Sequence, residues 1–238
     1  MATGSPILRV DHVGRSFDDG RIIGLGDVTL EFGREELVAL HGQSGSGKST
    51  LINMMAGLDQ PTSGTVYFDS KASPSPDEWT ALRASRIGIV FQDFNLLPTL
   101  TACENIEAAM FGRVGSARER REIALSRLED VGIAECATRL PPQLSGGERR
   151  RVAIARGLAN EPDILLADEP TSNLDSANGA QVMELLLALH ARGGMAMVIV
   201  THDHDLIARC PRRIRLLDGR VAEDVRSKPL TRRRGKAA

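Results

Sequence analysis

The chain has 238 residues, 42% apolar and 26% charged, which excludes disordered, collagen-like and coiled-coil proteins and predicts one or two globular domains. Lys and Arg number 30 against 31 Asp and Glu, a net charge of −1, so a wholly basic nucleic-acid-binding surface is excluded and no nucleic-acid partner is expected. No apolar run approaches the roughly 18–20 residues that span a bilayer, and residues 1–6 lack the charged and apolar parts of a secretory signal.

Val28, Leu30 and Phe32 alternate with polar residues, which predicts a half-buried strand, and Leu37–Leu40 predicts a fully buried one. A glycine-rich turn follows, then a helical pattern over 48–56, and strands are predicted over 64–68 and 87–91. Cys103, Cys136 and Cys210 lie far apart, show no zinc or redox spacing and suit a reducing compartment. Thr101–Glu104 and Ser116–Glu119 read as capping boxes that open helices. Residues 101–160 carry almost no strand signal and predict a helical insertion in an α/β fold. Ile164–Ala167 and Met195–Val200 predict buried strands around a helix near 177–192, and Asp218–Gly219 predicts a hairpin. Strands alternating with helices imply a mostly parallel sheet with ligands at its carboxyl ends. Beyond Asp224 there are no acids and six basic residues: Arg226, Lys228, Arg232, Arg233, Arg234 and Lys236. This tail, 226–238, is expected to be disordered. It is either a solvated end or a contact for anionic lipid headgroups, worth about 1 kcal/mol per basic residue near the surface.

Two stretches carry chemistry. Gly42–Ser49 fits G-x-x-x-x-G-K-[ST] without a mismatch, between a predicted buried strand and a predicted helix. Glycines let backbone N–H groups turn toward phosphate oxygens, and the helix N-terminus adds partial positive charge. Gly42, Gln43, Ser44, Gly45, Ser46, Gly47, Lys48, Ser49 and Thr50 are therefore the candidate nucleotide contacts. Lys48 is expected to reach the β- and γ-phosphates and Ser49 to ligate Mg²⁺. Asp163–Glu169 reads as a buried strand ending in two acids. Asp168 is the candidate holder of Mg²⁺, and Glu169 the candidate base for an attacking water.

Leu144–Glu148, with the sequence LSGGE, is locally another capping box, Ser145 at the N-cap and Glu148 at N3. In the order phosphate loop, LSGGE, ILLADEP, the chain resembles the nucleotide-binding subunit of ABC transporters over about residues 7–225. The resemblance implies a P-loop NTPase (RecA-like) α/β core with a mostly parallel sheet, an antiparallel β subdomain and an inserted helical signature subdomain. The core would occupy about 1–95 and 160–225 of a single ATPase domain spanning 1–225, and the helical subdomain about 96–159. It also implies roles by position. Gln92 would sense Mg²⁺ and the water near a membrane partner, and His202 would contact the γ-phosphate. Phe17, 25 residues before Gly42, would stack on adenine, and Asp175, in Ser172–Asp175, would lie at a dimer interface. Ser145, Gly146, Gly147 and Glu148 would bind the ATP held by a second subunit, so two ATP with Mg²⁺ would be sandwiched in a dimer, a homodimer in the simpler case.

Ala56–Gly64, Val90–Ala102 and Leu165–Thr171 resemble the branch of lipoprotein release, macrolide export and antimicrobial-peptide resistance, the LolD/MacB type. That resemblance implies a separate integral-membrane permease and a place on the cytoplasmic face of the membrane. Two positions depart from the branch: Ser172 stands where Gly is usual, and Glu148 followed by three arginines stands where Gln is usual. The competing reading is a non-transport ABC ATPase, of a cell-division (FtsE-like) or iron–sulfur assembly kind. A P-loop kinase would leave LSGGE and His202 unexplained.

Overall fold

The computed structural model describes residues 5–18 and 21–227. It opens with an antiparallel pair, β1 (Leu8–Phe17) and β2 (Ile22–Phe32), followed by β3 (Leu37–His41) and α1 (Lys48–Met55). Next come β4 (Ser63–Phe68), β5 (Lys71–Ala72), α2 (Pro76–Arg83) and β6 (Ile87–Val90). Three helices follow, α3 (Ala102–Ala108), α4 (Ala117–Asp130) and α5 (Gly146–Leu158). The chain then returns to α/β with β7 (Ile164–Asp168), α6 (Ser176–Ala191), β8 (Ala196–Val200), α7 (His204–Arg209) and the hairpin β9 (Arg212–Leu217) and β10 (Arg220–Arg226).

The six-stranded sheet runs β10-β9-β3-β8-β7-β6 and is parallel except for the β9–β10 hairpin, while β2-β1-β4-β5 form an antiparallel sheet. Strand alternation divides the core in two. Val38, Leu40, Ile164, Leu166, Val198 and Val200 pack with α1 and the antiparallel sheet. Their sequence neighbours Ala39, Leu165, Ala167, Met197 and Ile199 pack with the helices α3 to α6. Both faces are covered, so these strands read as unbroken apolar runs.

Local signals placed most elements. Thr101 and Ser145 make reciprocal capping boxes with Glu104 and Glu148. At Ser116 only half the motif forms: its side chain accepts from the Glu119 N–H, without the return bond. β1 escaped the periodicity because register shifts between Val10 and Val13 and a left-handed His12 (φ 51) break its alternation. The short α2 is set by Ser75 as N-cap, Pro76 in the first turn and a reciprocal Glu78. At the C-terminal end Arg226 pairs with Arg212 in the hairpin, and Ser227 donates from N–H and Oγ to the Pro211 carbonyl. The remainder of the basic tail, 228–238, lies outside the described residues.

Candidate nucleotide site

The loop between β3 and α1 keeps its shape through two glycines that no other residue replaces. Gly42 (φ 150) lies where a Cβ would overlap the Leu216 carbonyl, and Gly47 (φ 96) where it would overlap the Gly24 carbonyl. Gly47 also serves as the N-cap of α1, which has no side-chain cap and no acidic residue in its first turn. The first N–H groups of α1 therefore have no side-chain acceptor, an anion-binding arrangement. Lys48, 7% exposed, arches back and donates from Nζ to the carbonyls of Gly42 (2.9 Å) and Gln43 (2.8 Å), which holds its charge over the loop. Ser46 is buried with its Oγ unpartnered inside the same loop.

At the carboxyl end of β7, Asp168 is 9% exposed, and its Oδ1 is buried without a partner. Burial pushes its carboxyl above the usual range; a hydrogen bond from Ser49 and the nearby Lys48 oppose this, and Glu169 adds to it. A hydroxyl and an orphaned carboxylate oxygen side by side form a hard-oxygen donor set that fits Mg²⁺. Glu169 follows in a left-handed backbone (φ 44). Its Oε1 lies 3.7 Å from Nδ1 of His202, which reaches the site from the end of β8.

All of these groups except Ser46 and Asp168 line one cleft of about 670 Å³. Gly42, Gln43, Ser44, Gly45, Gly47, Lys48, Ser49 and Thr50 form its floor, Gln92, Glu169 and His202 one wall, and Phe17 the other. Phe17 is part-exposed and stands beside Gly24 and Thr50, with the Arg15 guanidinium 4.6 Å from its ring centroid. Sequence reasoning missed Ile22 and Ile23, which extend the apolar wall and are 58% and 66% exposed. Two adjacent isoleucines at the start of β2 break the in–out alternation, and that was the available signal.

The signature residues lie elsewhere. Ser145 Oγ accepts from the Glu148 N–H (3.2 Å), and Glu148 Oε2 accepts from the Ser145 N–H (2.7 Å). Glu148 Oε1 also accepts from Cys136 Sγ (3.4 Å) and Arg139 Nη1 (3.3 Å). The Ser145 N–H, then its hydroxyl, holds the Glu148 carboxyl below the usual range. Gly146 and Gly147 pack beside Leu174 and Asn178. Asp175 is the N-cap of α6, and the Asn178 N–H holds its carboxyl low. None of Ser145, Gly146, Gly147, Glu148, Asp168 or Asp175 lines the cleft; Asp168 lies beneath it through Ser49. A single chain thus presents a phosphate cradle and, apart from it, a second helix N-terminus, closed by its own capping box.

Comparison with known proteins shows the family. The family described as "ABC transporter" matches residues 25–172. The lipoprotein-releasing system ATP-binding protein LolD of Bordetella pertussis is 43% identical, the match covering 92% of this chain and 96% of that protein. The macrolide export ATP-binding/permease protein MacB of Bradyrhizobium diazoefficiens is also 43% identical, over 93% of this chain and 34% of that longer protein. A solved dimeric ATP-binding cassette in a post-hydrolysis state with ADP and Pi superimposes with a TM-score of 0.85 at 41% identity, covering 93% of this chain and 99% of that one.

Proposed function

The chain belongs to the ABC transporter family as one of its ATP-binding, ATP-hydrolysing subunits, and we propose that two copies close around two ATP to drive a separate membrane permease. The observation that carries this is the split site. The cleft is lined by the phosphate loop with Gln92, Glu169 and His202, whereas Ser145, Gly146 and Gly147 open α5 at its N-terminus and do not line it. A second copy supplies that N-terminus to the γ-phosphate, where aligned N–H groups favour an anion. ATP then shifts the population toward the closed pair because it contacts both halves only there.

The chemistry follows from the side chains. Phe17, Ile22 and Ile23 give the adenine an apolar wall, and the loop N–H groups with Lys48 hold the β- and γ-phosphates. Glu169 accepts the proton of the attacking water as the bond from Pγ to the ADP oxygen breaks, leaving ADP and phosphate. His202 orients Glu169 and the γ-phosphate, and Gln92 orients the water. Mg²⁺, when bound, neutralises charge on the β- and γ-oxygens; Ser49, Asp168 and Gln92 would hold it. The ATPase domain on this reading spans 1–225, with residues 96–159 carrying the signature.

Similarity to LolD over nearly its whole length, and to the ATPase part of MacB, supports an export or mechanotransmission system on the cytoplasmic face of the membrane. No helix among the described residues is long and apolar enough to cross a bilayer, so a permease partner would supply the spans. The test is affinity purification of the tagged protein from detergent-solubilised membranes, with partners identified by mass spectrometry. Recovery of a multi-span membrane protein with a large extracytoplasmic domain supports the proposal. Recovery of soluble partners alone, or of a division-complex membrane protein, moves the ATPase to a non-transport role.

A further inference from the structure

The largest fully buried side chain among the described residues is a cation, Arg150, five residues beyond the cap of α5. It has no carboxylate partner within ion-pair distance among the described residues; Asp93 supplies the facing negative charge. Instead its guanidinium gathers backbone oxygens from two other loops. Nη1 donates to the Phe91 carbonyl (2.6 Å), and Nη2 donates to the Gln92 carbonyl (2.7 Å). Nη2 also approaches the Ser172 carbonyl (3.3 Å) and Oγ (3.4 Å). The Phe94 ring closes over the group, its centroid 4.7 Å away. Burial draws its pKa down to about 10, which leaves it charged at neutral pH.

The far side of this contact matters as much. Ser172 donates from N–H (3.0 Å) and Oγ (2.8 Å) to the Glu169 carbonyl. Glu169 sits in the left-handed region, a strained conformation for a non-glycine residue that persists only where neighbours over-determine it. The two bonds from Ser172, with the Glu169 N–H on the Val200 carbonyl (3.0 Å), are what fix it. One guanidinium therefore joins the signature helix to the backbone of Gln92 directly and to that of Glu169 through one serine. Only a planar fork with several donors reaches carbonyls converging from two loops. Arg150 and Ser172 both belong to stretches where the sequence departs from its nearest pattern, and here they are bonding partners.

We propose that Arg150 is a positioning residue for hydrolysis, holding Gln92 and, through Ser172, Glu169 in fixed register with the signature helix, so that the three elements move as one unit. This rests on the reading of Gln92 and Glu169 as residues that face the γ-phosphate. A buried arginine that merely staples loops would instead affect stability and nucleotide affinity together.

The test compares Arg150→Lys, Ser172→Ala, Gln92→Ala, Glu169→Gln and the double variants Arg150→Lys/Gln92→Ala and Arg150→Lys/Ser172→Ala. The readouts are kcat, KM and ATP affinity of the isolated chain. Lysine keeps the charge and loses the fork, so kcat is expected to fall about tenfold, with ATP affinity within about twofold of wild type. Ser172→Ala, which leaves α5 intact, should lower kcat several-fold and guards against misfolding of the lysine variant. Residues acting as a unit are non-additive. Each double variant should therefore be no more than about twofold slower than its slower parent. Fold-losses that multiply in the double variants, or losses of kcat that track lost ATP affinity or lost folded protein, overturn the proposal. Wild-type turnover in Gln92→Ala or Glu169→Gln instead overturns the reading of those residues, and the proposal with it.

Discussion

Ser145→Asp separates a helix cap from a catalytic contact, because aspartate performs the first role and defeats the second. In the folded chain Ser145 Oγ accepts from the Glu148 N–H at 3.2 Å, and the return bond from the Ser145 N–H is unaffected by the side chain. Asp and Ser are equivalent N-caps within a few tenths of a kcal/mol, and a negative charge suits a helix N-terminus. For a domain of this size 1 kcal/mol is about 2–4 °C of Tm, so the melting temperature should move by no more than about 1–2 °C. Ser145 does not line the cleft, so the ATP affinity of the isolated chain should also be unchanged. In a closed pair, however, the new carboxylate would face the neighbour's γ-phosphate. Two unit charges about 4 Å apart at an effective dielectric near 20 repel by about 4 kcal/mol. That corresponds to a loss of about 10³ in turnover. Differential scanning fluorimetry, equilibrium ATP binding and steady-state ATPase assays on the one variant give all three numbers. Near wild-type turnover with unchanged stability would show that the start of α5 is only a cap. A fall in the ATP affinity of the isolated chain would show that Ser145 serves the cleft of its own chain.

Glu169→Gln should retain ATP binding and lose turnover by about 10²–10⁴-fold, the usual scale for a general base, while accumulating as an ATP-dependent dimer on size exclusion. Ser145→Arg and Lys48→Ala should each be inactive alone. Mixed, they should regain ATPase activity, because a mixed dimer contains one site built from two unmutated halves; a flat mixing curve argues against the split site. Gly47→Ala forces a non-glycine residue to φ 96 against the Gly24 carbonyl, so it should cost at least about 1–2 kcal/mol in denaturant titration and weaken ATP binding through the displaced start of α1. Burial is the first cause that pushes the thiols of Cys103 and Cys210 up to about 12 and that of Cys136 to about 11. Because the thiolate is the reactive form, none of the three should react quickly with a disulfide reagent at pH 8 in the native protein, and all three should react once it is unfolded.

Much of the fold was legible because its signals are local. Leu37–Leu40, Ile164–Ala167 and Met195–Val200 are apolar runs that only a strand covered on both faces accommodates, and they form β3, β7 and β8. The caps at Thr101 and Ser145 rest on pairs three residues apart, a distance within reach of one helical turn. The phosphate loop was legible from its local pattern, although the carbonyls that press on Gly42 and Gly47 belong to the distant Leu216 and Gly24. β1 was illegible for the opposite reason: its bulges make sense only against β2 and β4, its two neighbours.

What the chain alone determined about the site is the kind of chemistry: a cradle for phosphate, two acids at a strand end, a capped helix carrying LSGGE. Tertiary structure decided which of those groups meet. Gln92 and His202 lie 110 residues apart yet line one cleft, because parallel strands deliver their carboxyl ends to the same edge of the sheet. The signature does not line that cleft; α5 packs instead against α6 and the turn before it. The buried Arg150 is the sharpest case: in sequence it is one of three consecutive arginines, and full burial against three carbonyls from 91, 92 and 172 distinguishes it from its part-buried neighbours Arg149 and Arg151. Which charge is buried is a property of long-range packing, and no local pattern encodes it.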